Sequence, residues 1–488
     1  MQPKNSVSVN LFSNLPDELP VGYTEKPIFP YCGLAFVARF FNGLNLAQRL
    51  YEIVPHKPTS PVAYHVGELL VGFVSATFCG MHRLSHYFRN IPKEVVSQIM
   101  HSRASAAHFV TIGRVFKRIL DENELEQFRN GIWEILHGYF SRLRFDPDWL
   151  VFDSTVITRY GKQEKAEKGY NPSKPGRKSH HPLIASLCEF GLILDILNRP
   201  GKATASTGIE DFFAKALSRA TGLGVSILGV LADAGFYYES FLLVLEAAHK
   251  PYIIVARFYA NLKTKVLSLP QDTWKTVDDG ISISEFWWKQ FGWKKERRYI
   301  AIRRDTDKCP EAVGKRLQAY EQLELPGMEK GAKYRYSCFV TTLTEEPITV
   351  WRTYRRRILI ERLIEDLAYD LGFKKLNTKK WVETTALLTM LMLSYNLFRL
   401  FAQTVLPKKD RAKKLSTIRS ELFMVGGIIG RSGRKQILRL SLAKRSLKRR
   451  FEYLLIQIKQ AIVMLMDNCL TLDATQAAEA PQNTVLVT

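Results

Sequence analysis

Two short apolar runs, each closing on an aspartate and each followed by a turn, constrain the fold of this chain more than any other feature. The first is WLVFDST, closing on Asp153, and the second is SILGVLADAGF, closing on Asp233. Between them PLIASLCEFGLILDILNRPG gives two apolar runs around Glu189, Phe190 and Gly191, the signature of a β-hairpin. Helices fit GIEDFFAKALSRA and YYESFLLVLEAAH, and PYIIVARF reads as a further strand. A hairpin followed by helices alternating with buried strands predicts an α/β fold over 148–257, a mixed sheet flanked by helices.

The rest of the 488 residues divides around that layer. Residues 1–147 read as a helical N-terminal region. Within it, PKEVVSQIMHSRASAAHFVTIGRVFKRIL forms two or three short helices ending in Arg114, Lys117 and Arg118. That pattern suits a DNA-binding helix-turn-helix arm or an ordinary bundle with a basic rim. From 258 to 345 aromatic and β-branched residues mix with charges, as in SISEFWWKQFGWKKERRYIAIRR, and predict an inserted β-rich segment. Residues 346–405 carry TYRRRILIERLIEDLAYDLG, expected to be one helix, and then a buried helix from Val382 to Phe401. A basic region, 406–470, includes an expected helix from Phe451 to Cys469, and the polar tail 471–488 is expected to be disordered. The apolar stretches VAYHVGELLVGFVSATFCGM and ALLTMLMLSYNLFRLF resemble membrane spans. The first carries His65 and Glu68 and the second is too short, so no membrane association is expected.

Charge then narrows the function. A net +23 calls for a polyanionic partner, nucleic acid first. Residues 401–450 hold 15 Lys and Arg against Asp410 and Glu421. Lys444, Arg445, Lys448, Arg449 and Arg450 at their end are candidate phosphate contacts, the alternative being a solvated helix surface. The loop Gly161–Lys178, with Lys162, Arg177 and Lys178, follows Asp153 directly and is a second candidate. Trp287, Trp288 and Trp293 precede a run of basic residues. Trp288 could stack on an unpaired base, or these rings could be the core of the inserted segment. Six scattered cysteines without Cys-x-x-Cys exclude a zinc module or disulfide framework and suit a reducing cytoplasm. His180 and His181 are adjacent, share no strand face and have no zinc-spaced partner. No Walker-type Gly-x-x-x-x-Gly-Lys-Ser/Thr occurs, which argues against an ATP motor.

In an open α/β sheet, side chains at the carboxyl ends of strands are those that meet ligand, which is where Asp153 and Asp233 fall. Singly, each could as well start a turn or cap a helix. On the expected helix, Tyr354, Arg357 and Glu361 share one stripe that continues into Ile364 and Ala368, so Glu361 lies at the margin of a buried face. The alternative is an exposed Arg357–Glu361 pair; Glu365, one turn on, is the backup candidate. Three converging carboxylates repel, each pair by roughly 4 kcal/mol at ~4 Å and an effective dielectric of 20. Divalent cations relieve that cost. Mg²⁺ fits because it binds through one or two carboxylates plus substrate phosphates, and two such ions serve phosphoryl transfer.

FDSTVITRYGKQEKAEKGYNPSKPGRKSHHPLIA, LADAGFY and YRRRILIERLIEDLAYDLGF together resemble the signature blocks of DDE transposases from bacterial insertion sequences, in the branch with a Tyr-x-x-Arg-x-x-x-Glu helix. The resemblance implies an RNase H-like fold and a metal-binding catalytic triad of Asp153, Asp233 and Glu361. The 127 residues between Asp233 and Glu361 match the β-rich insertion such enzymes carry there. It further implies Tyr354 and Arg357 at the DNA end, two Mg²⁺ ions replaceable by Mn²⁺, and double-stranded DNA partners, namely terminal inverted repeats and target. A homodimer or larger synaptic complex at the bacterial nucleoid is expected, since two ends must be held together. The lysine usual seven residues after the glutamate is Ala368 here. The competing expectation is a catalytically inactive, transposase-derived DNA-binding protein.

Overall fold

The computed structural model describes residues 28–60, 64–86, 107–309, 334–442 and 444–466. The described residues before 147 form the helices α1 (Leu34–Gly43), α2 (Leu46–Ile53), α3 (Val66–Phe78), α4 (Phe109–Phe116) and α5 (Glu122–Phe140). The anticipated helix-turn-helix arm falls partly outside the described residues, and only its last helix, α4, is seen. The start of α5 is written locally. Asp121 accepts the Glu124 amide at 2.8 Å while the Glu124 carboxylate accepts the Leu120 amide at 2.9 Å.

The strands then follow: β1 (Asp148–Ser154), β2 (Ile157–Thr158), β3 (Glu167–Lys168), β4 (Lys178–His180), β5 (Leu183–Leu187) and β6 (Ile193–Leu197). Helix α6 (Ile209–Gly222), β7 (Ile227–Ala232), α7 (Glu239–Ala247) and β8 (Tyr252–Val255) complete the alternation. After α8 (Ala260–Leu267) come β9 (Lys275–Asp278), β10 (Ile281–Trp288), β11 (Arg297–Asp305) and β12 (Tyr334–Thr341). Nine of these strands form one sheet in the order β6-β5-β1-β7-β8-β12-β11-β10-β9. Strands β1, β7 and β8 are mutually parallel, and β5 and β6 form the antiparallel hairpin beside β1. That order is the RNase H-like arrangement the resemblance implied. The β-rich segment is not a separate body, because β12 pairs antiparallel with β8, Phe339 opposite Val255, and extends the same sheet.

Strand periodicity divides the core in two. Leu150 and Phe152 of β1, Val230 and Ala232 of β7, and Tyr252 and Ile254 of β8 enter the large core under the helical layer. Trp149, Val151, Leu231 and Ile253 point to the opposite face. There they meet Val350, Trp351 and Tyr354 of α9 (Pro347–Arg355) and Ile360 of α10 (Ile358–Glu365).

The first face is covered by α11 (Trp381–Val405), whose most apolar window is 94% buried in protein, so its membrane-like length reflects a core position. Asn396 fixes α11 to β6, its Oδ1 accepting the Ile193 amide at 3.0 Å and its Nδ2 donating to the Ile193 carbonyl at 2.8 Å. The basic region returns to the N-terminus as a hairpin, β13 (Gly427–Ser432) with β14 (Lys435–Leu440), and then α12 (Arg445–Met466). Phe29 bridges to Gly427, and Phe36 of α1 packs on Phe451 of α12 at 4.9 Å. The two terminal regions and the sheet therefore share one core.

Candidate active site

Register places the two aspartates side by side. Phe152 lies opposite Ala232 in the parallel β1–β7 pair, so the next residues, Asp153 and Asp233, leave adjacent strands at the same edge. Pleat sends both to the α9–α10 face, because Asp153 follows the parity of Trp149 and Val151 and Asp233 that of Leu231. Each aspartate is half committed to its own backbone. Asp153 Oδ1 accepts the Ser154 amide and Asp233 Oδ1 the Gly235 amide, both at 2.8 Å. Their Oδ2 atoms face one guanidinium. Arg357 Nη2 stands 3.1 Å from Asp153 Oδ2 and 3.8 Å from Asp233 Oδ2, and Nη1 stands 3.1 Å from Glu361 Oε1.

The helix that delivers Glu361 differs from the expected single rod. It breaks at Arg356 and Arg357 into α9 and α10 and ends in a wide π-helical turn over Asp366–Asp370. The four-residue step from Arg357 to Glu361 survives because it lies within α10 and its cap. The stripe linking Tyr354 to both does not continue through the break. Tyr354 is 3% exposed and packs on Phe339 at 4.6 Å, so the expected DNA contact is corrected: its ring belongs to the core under α9. Arg357, 6% exposed, faces the three carboxylates rather than the surface, so in this state it is not a DNA contact either. Ala368 is buried in the π-turn, and Glu365 turns away to Lys414 at 3.3 Å.

Burial dominates the electrostatics. It pushes the Asp153 carboxyl up to about 7, with Arg357 opposing and the charges of Asp233 and Glu361 adding. Burial also raises Glu361, against Arg357. On Arg357 burial acts the other way, but Asp153, Tyr354, Asp233 and Glu361 outweigh it and hold the guanidinium above its usual range. One cation thus serves three carboxylates. Such a surplus of hard oxygen donors is the chemistry that receives divalent ions.

The other predicted residues are dispersed. Lys178 of β4 and Lys162 and Arg177 in the loops of the small sheet β2-β4-β3, which leaves the end of β1, are exposed. Trp288 lines an open groove with Tyr259, Phe291 and Trp293, and donates from Nε1 to Gln290 Oε1 at 3.4 Å. Lys444, Arg445, Lys448 and Arg449 are exposed at the start of α12. Arg450 is corrected, because it pairs with Glu421 at 2.9 Å and Asp410 at 3.2 Å, the two acids of residues 401–450. His181, passed over in sequence, lies among the charges acting near Asp233, its Nδ1 2.9 Å from the Ala203 carbonyl. Adjacency of two histidines gave no signal of this; only the antiparallel pairing of β5, which His181 leads into, with β1 does.

Residues 28–462 match the family described as transposase DDE domain group 1, and the chain belongs to that family. No curated protein matches it. A similar solved structure is the cryo-EM structure of a piggyBac transposase synaptic complex with hairpin DNA, at 12% identity and a TM-score of 0.45, covering 93% of this chain and 83% of that one.

Proposed function

We propose that this DNA transposase binds the terminal inverted repeats of a bacterial insertion sequence, hydrolyses a strand at each end and joins the freed 3′-hydroxyl to target DNA. The convergence of Asp153, Asp233 and Glu361 on one buried guanidinium carries the reading, because three unrelated segments have no packing reason to bring carboxylates together. Their donor set fits Mg²⁺ or Mn²⁺, with Asp153, Asp233 and Glu361 as ligands and two ions per site. Bound ions would activate the attacking oxygen and stabilise the leaving one. The protein's part is to hold both aspartates on rigid strand ends and to bring the glutamate from a helix braced by Lys414. A strand-transfer assay on a labelled terminal repeat tests the whole. Joined product supports it, cutting without joining makes the protein a nuclease, and binding alone makes it an inactive descendant. Two ends must be held at once, which favours a dimer or larger synaptic complex in the bacterial cytoplasm.

The exposed start of α12 supports a sequence-independent grip on DNA. Each lost phosphate contact lowers the slope of log K against log salt by about 0.9. Neutralising Lys444, Arg445, Lys448 and Arg449 together is expected to weaken binding and flatten that slope. Arg450→Gln should leave the slope unchanged and lower the melting temperature, since its partners are Asp410 and Glu421. An unchanged slope in the quadruple variant removes the assignment.

Trp288 supports a second contact. It is only half-buried, and Trp287 beside it is 64% exposed, so not all of these rings are core. Trp288→Ala is expected to weaken binding of a DNA end with an unpaired base by about 1–3 kcal/mol and leave blunt duplex unaffected. Equal losses on both substrates, or loss only with unfolding, would return Trp288 to a packing role.

A further inference from the structure

We infer that Arg357 is the resident counter-ion of the carboxylate cluster and exchanges with divalent metal, so that metal entry and guanidinium release are one event. This rests on the metal-dependent reading above. Among the described residues, Asp153, Asp233 and Glu361 make their ion pairs within 4.0 Å with Arg357 alone. The guanidinium is held by its two terminal nitrogens, and among the described residues its buried Nε has no hydrogen-bond partner. It is fixed by the carboxylates and not by a structural carbonyl.

The carboxylates are spaced around that cation. Among the described residues no group of three His, Cys, Asp or Glu closes on a common point as ligands of one ion would. A divalent ion brings twice the charge to the same oxygens, and a guanidinium beside it would be repelled. One must leave when the other enters. Arg357 sits at the break between α9 and α10, next to the exposed Arg355 and Arg356. A freed planar fork there has the geometry to take a phosphate of bound DNA. Arg357 is then a positioning residue. It keeps the carboxylate cluster folded without metal, and it becomes available to DNA only once metal is loaded.

The test measures Mn²⁺ binding to the DNA-free, full-length protein by titration calorimetry. Arg357→Gln is expected to bind Mn²⁺ roughly tenfold more tightly than wild type or better, because a competing charge is gone. In EDTA the same variant should melt lower than wild type, and Mn²⁺ should recover more of its melting temperature. Unchanged or weaker Mn²⁺ binding by a folded Arg357→Gln overturns the exchange. A second measurement needs no variant: phenylglyoxal labelling of wild type, read by peptide mapping, should leave Arg357 protected in EDTA and labelled in Mn²⁺. Equal labelling in the two conditions also overturns it. The Asp153→Asn protein separates the two levels of the argument. If wild type binds Mn²⁺ and Asp153→Asn does not, yet Arg357→Gln binds no tighter, the exchange alone fails. If wild type binds no Mn²⁺, the metal reading fails with it.

Discussion

Asp153→Asn, Asp233→Asn and Glu361→Gln should each reduce end cleavage and joining by on the order of 10³-fold or more, with specific DNA binding largely intact. The amides keep the side-chain shape and lose the charge that holds cations. Each also leaves Arg357 facing two of its three carboxylates, so the variants should remain folded, and melting temperature in EDTA checks this. Because the three act as a unit, a double variant should be scarcely worse than a single one. Mn²⁺ should replace Mg²⁺, whereas Ca²⁺, with looser and larger coordination, should support binding and little chemistry. Glu365→Gln is the internal control: its carboxylate pairs with Lys414 and lies outside the cluster, so activity should persist. Retained joining in all three single variants would sink the mechanism. A dead Glu365→Gln beside an active Glu361→Gln would move the catalytic glutamate by one turn.

What the sequence made legible was local. Apolar runs ending in aspartate gave β1 and β7, and the four-residue step from Arg357 to Glu361 was set by helix geometry alone. What stayed hidden depended on partners far along the chain. Tyr354 is placed at the DNA end by the resemblance until β12 brings Phe339 under it. Arg450 reads as one more free cation in a basic run until the fold returns Asp410 and Glu421 to it. The break at Arg356 carries no Pro or Gly signal. It arises where α9 must lie on the sheet while α10 turns its glutamate toward the strand ends. The resemblance implied the triad of Asp153, Asp233 and Glu361, and the net charge of +23 implied a polyanionic partner. The resemblance could not supply the guanidinium between the carboxylates, because that is a property of three-dimensional closure.

Asp195→Ala should be among the most destabilising single substitutions in the protein, at about 3–5 kcal/mol, the range for removing one partner of a buried charge pair. Asp195 lies mid-strand in β6, 2% exposed, where its parity points it at the helical layer. Arg129 of α5 meets its Oδ1 at 2.8 Å, Arg219 of α6 meets its Oδ2 at 3.2 Å, and Lys215 approaches at 3.7 Å. Glu126 binds the outer sides of Arg129 and Lys215, so the acid ties the N-terminal helices to the sheet edge. Burial pushes the Asp195 carboxyl up, but Arg129, Arg219 and Lys215 outweigh it and hold it below the usual carboxylate range. A depressed acid contributes stability that is fully present above the unfolded-state pKa of about 4 and is lost as pH falls through the lower folded value. The gap in unfolding free energy between wild type and Asp195→Asn should therefore be full at pH 7 and shrink below about pH 4. Urea melts at both pH values measure it. An Asp195→Ala protein as stable as wild type at pH 7, or a gap for Asp195→Asn that is undiminished in acid, would show that the pairs hold position without contributing stability.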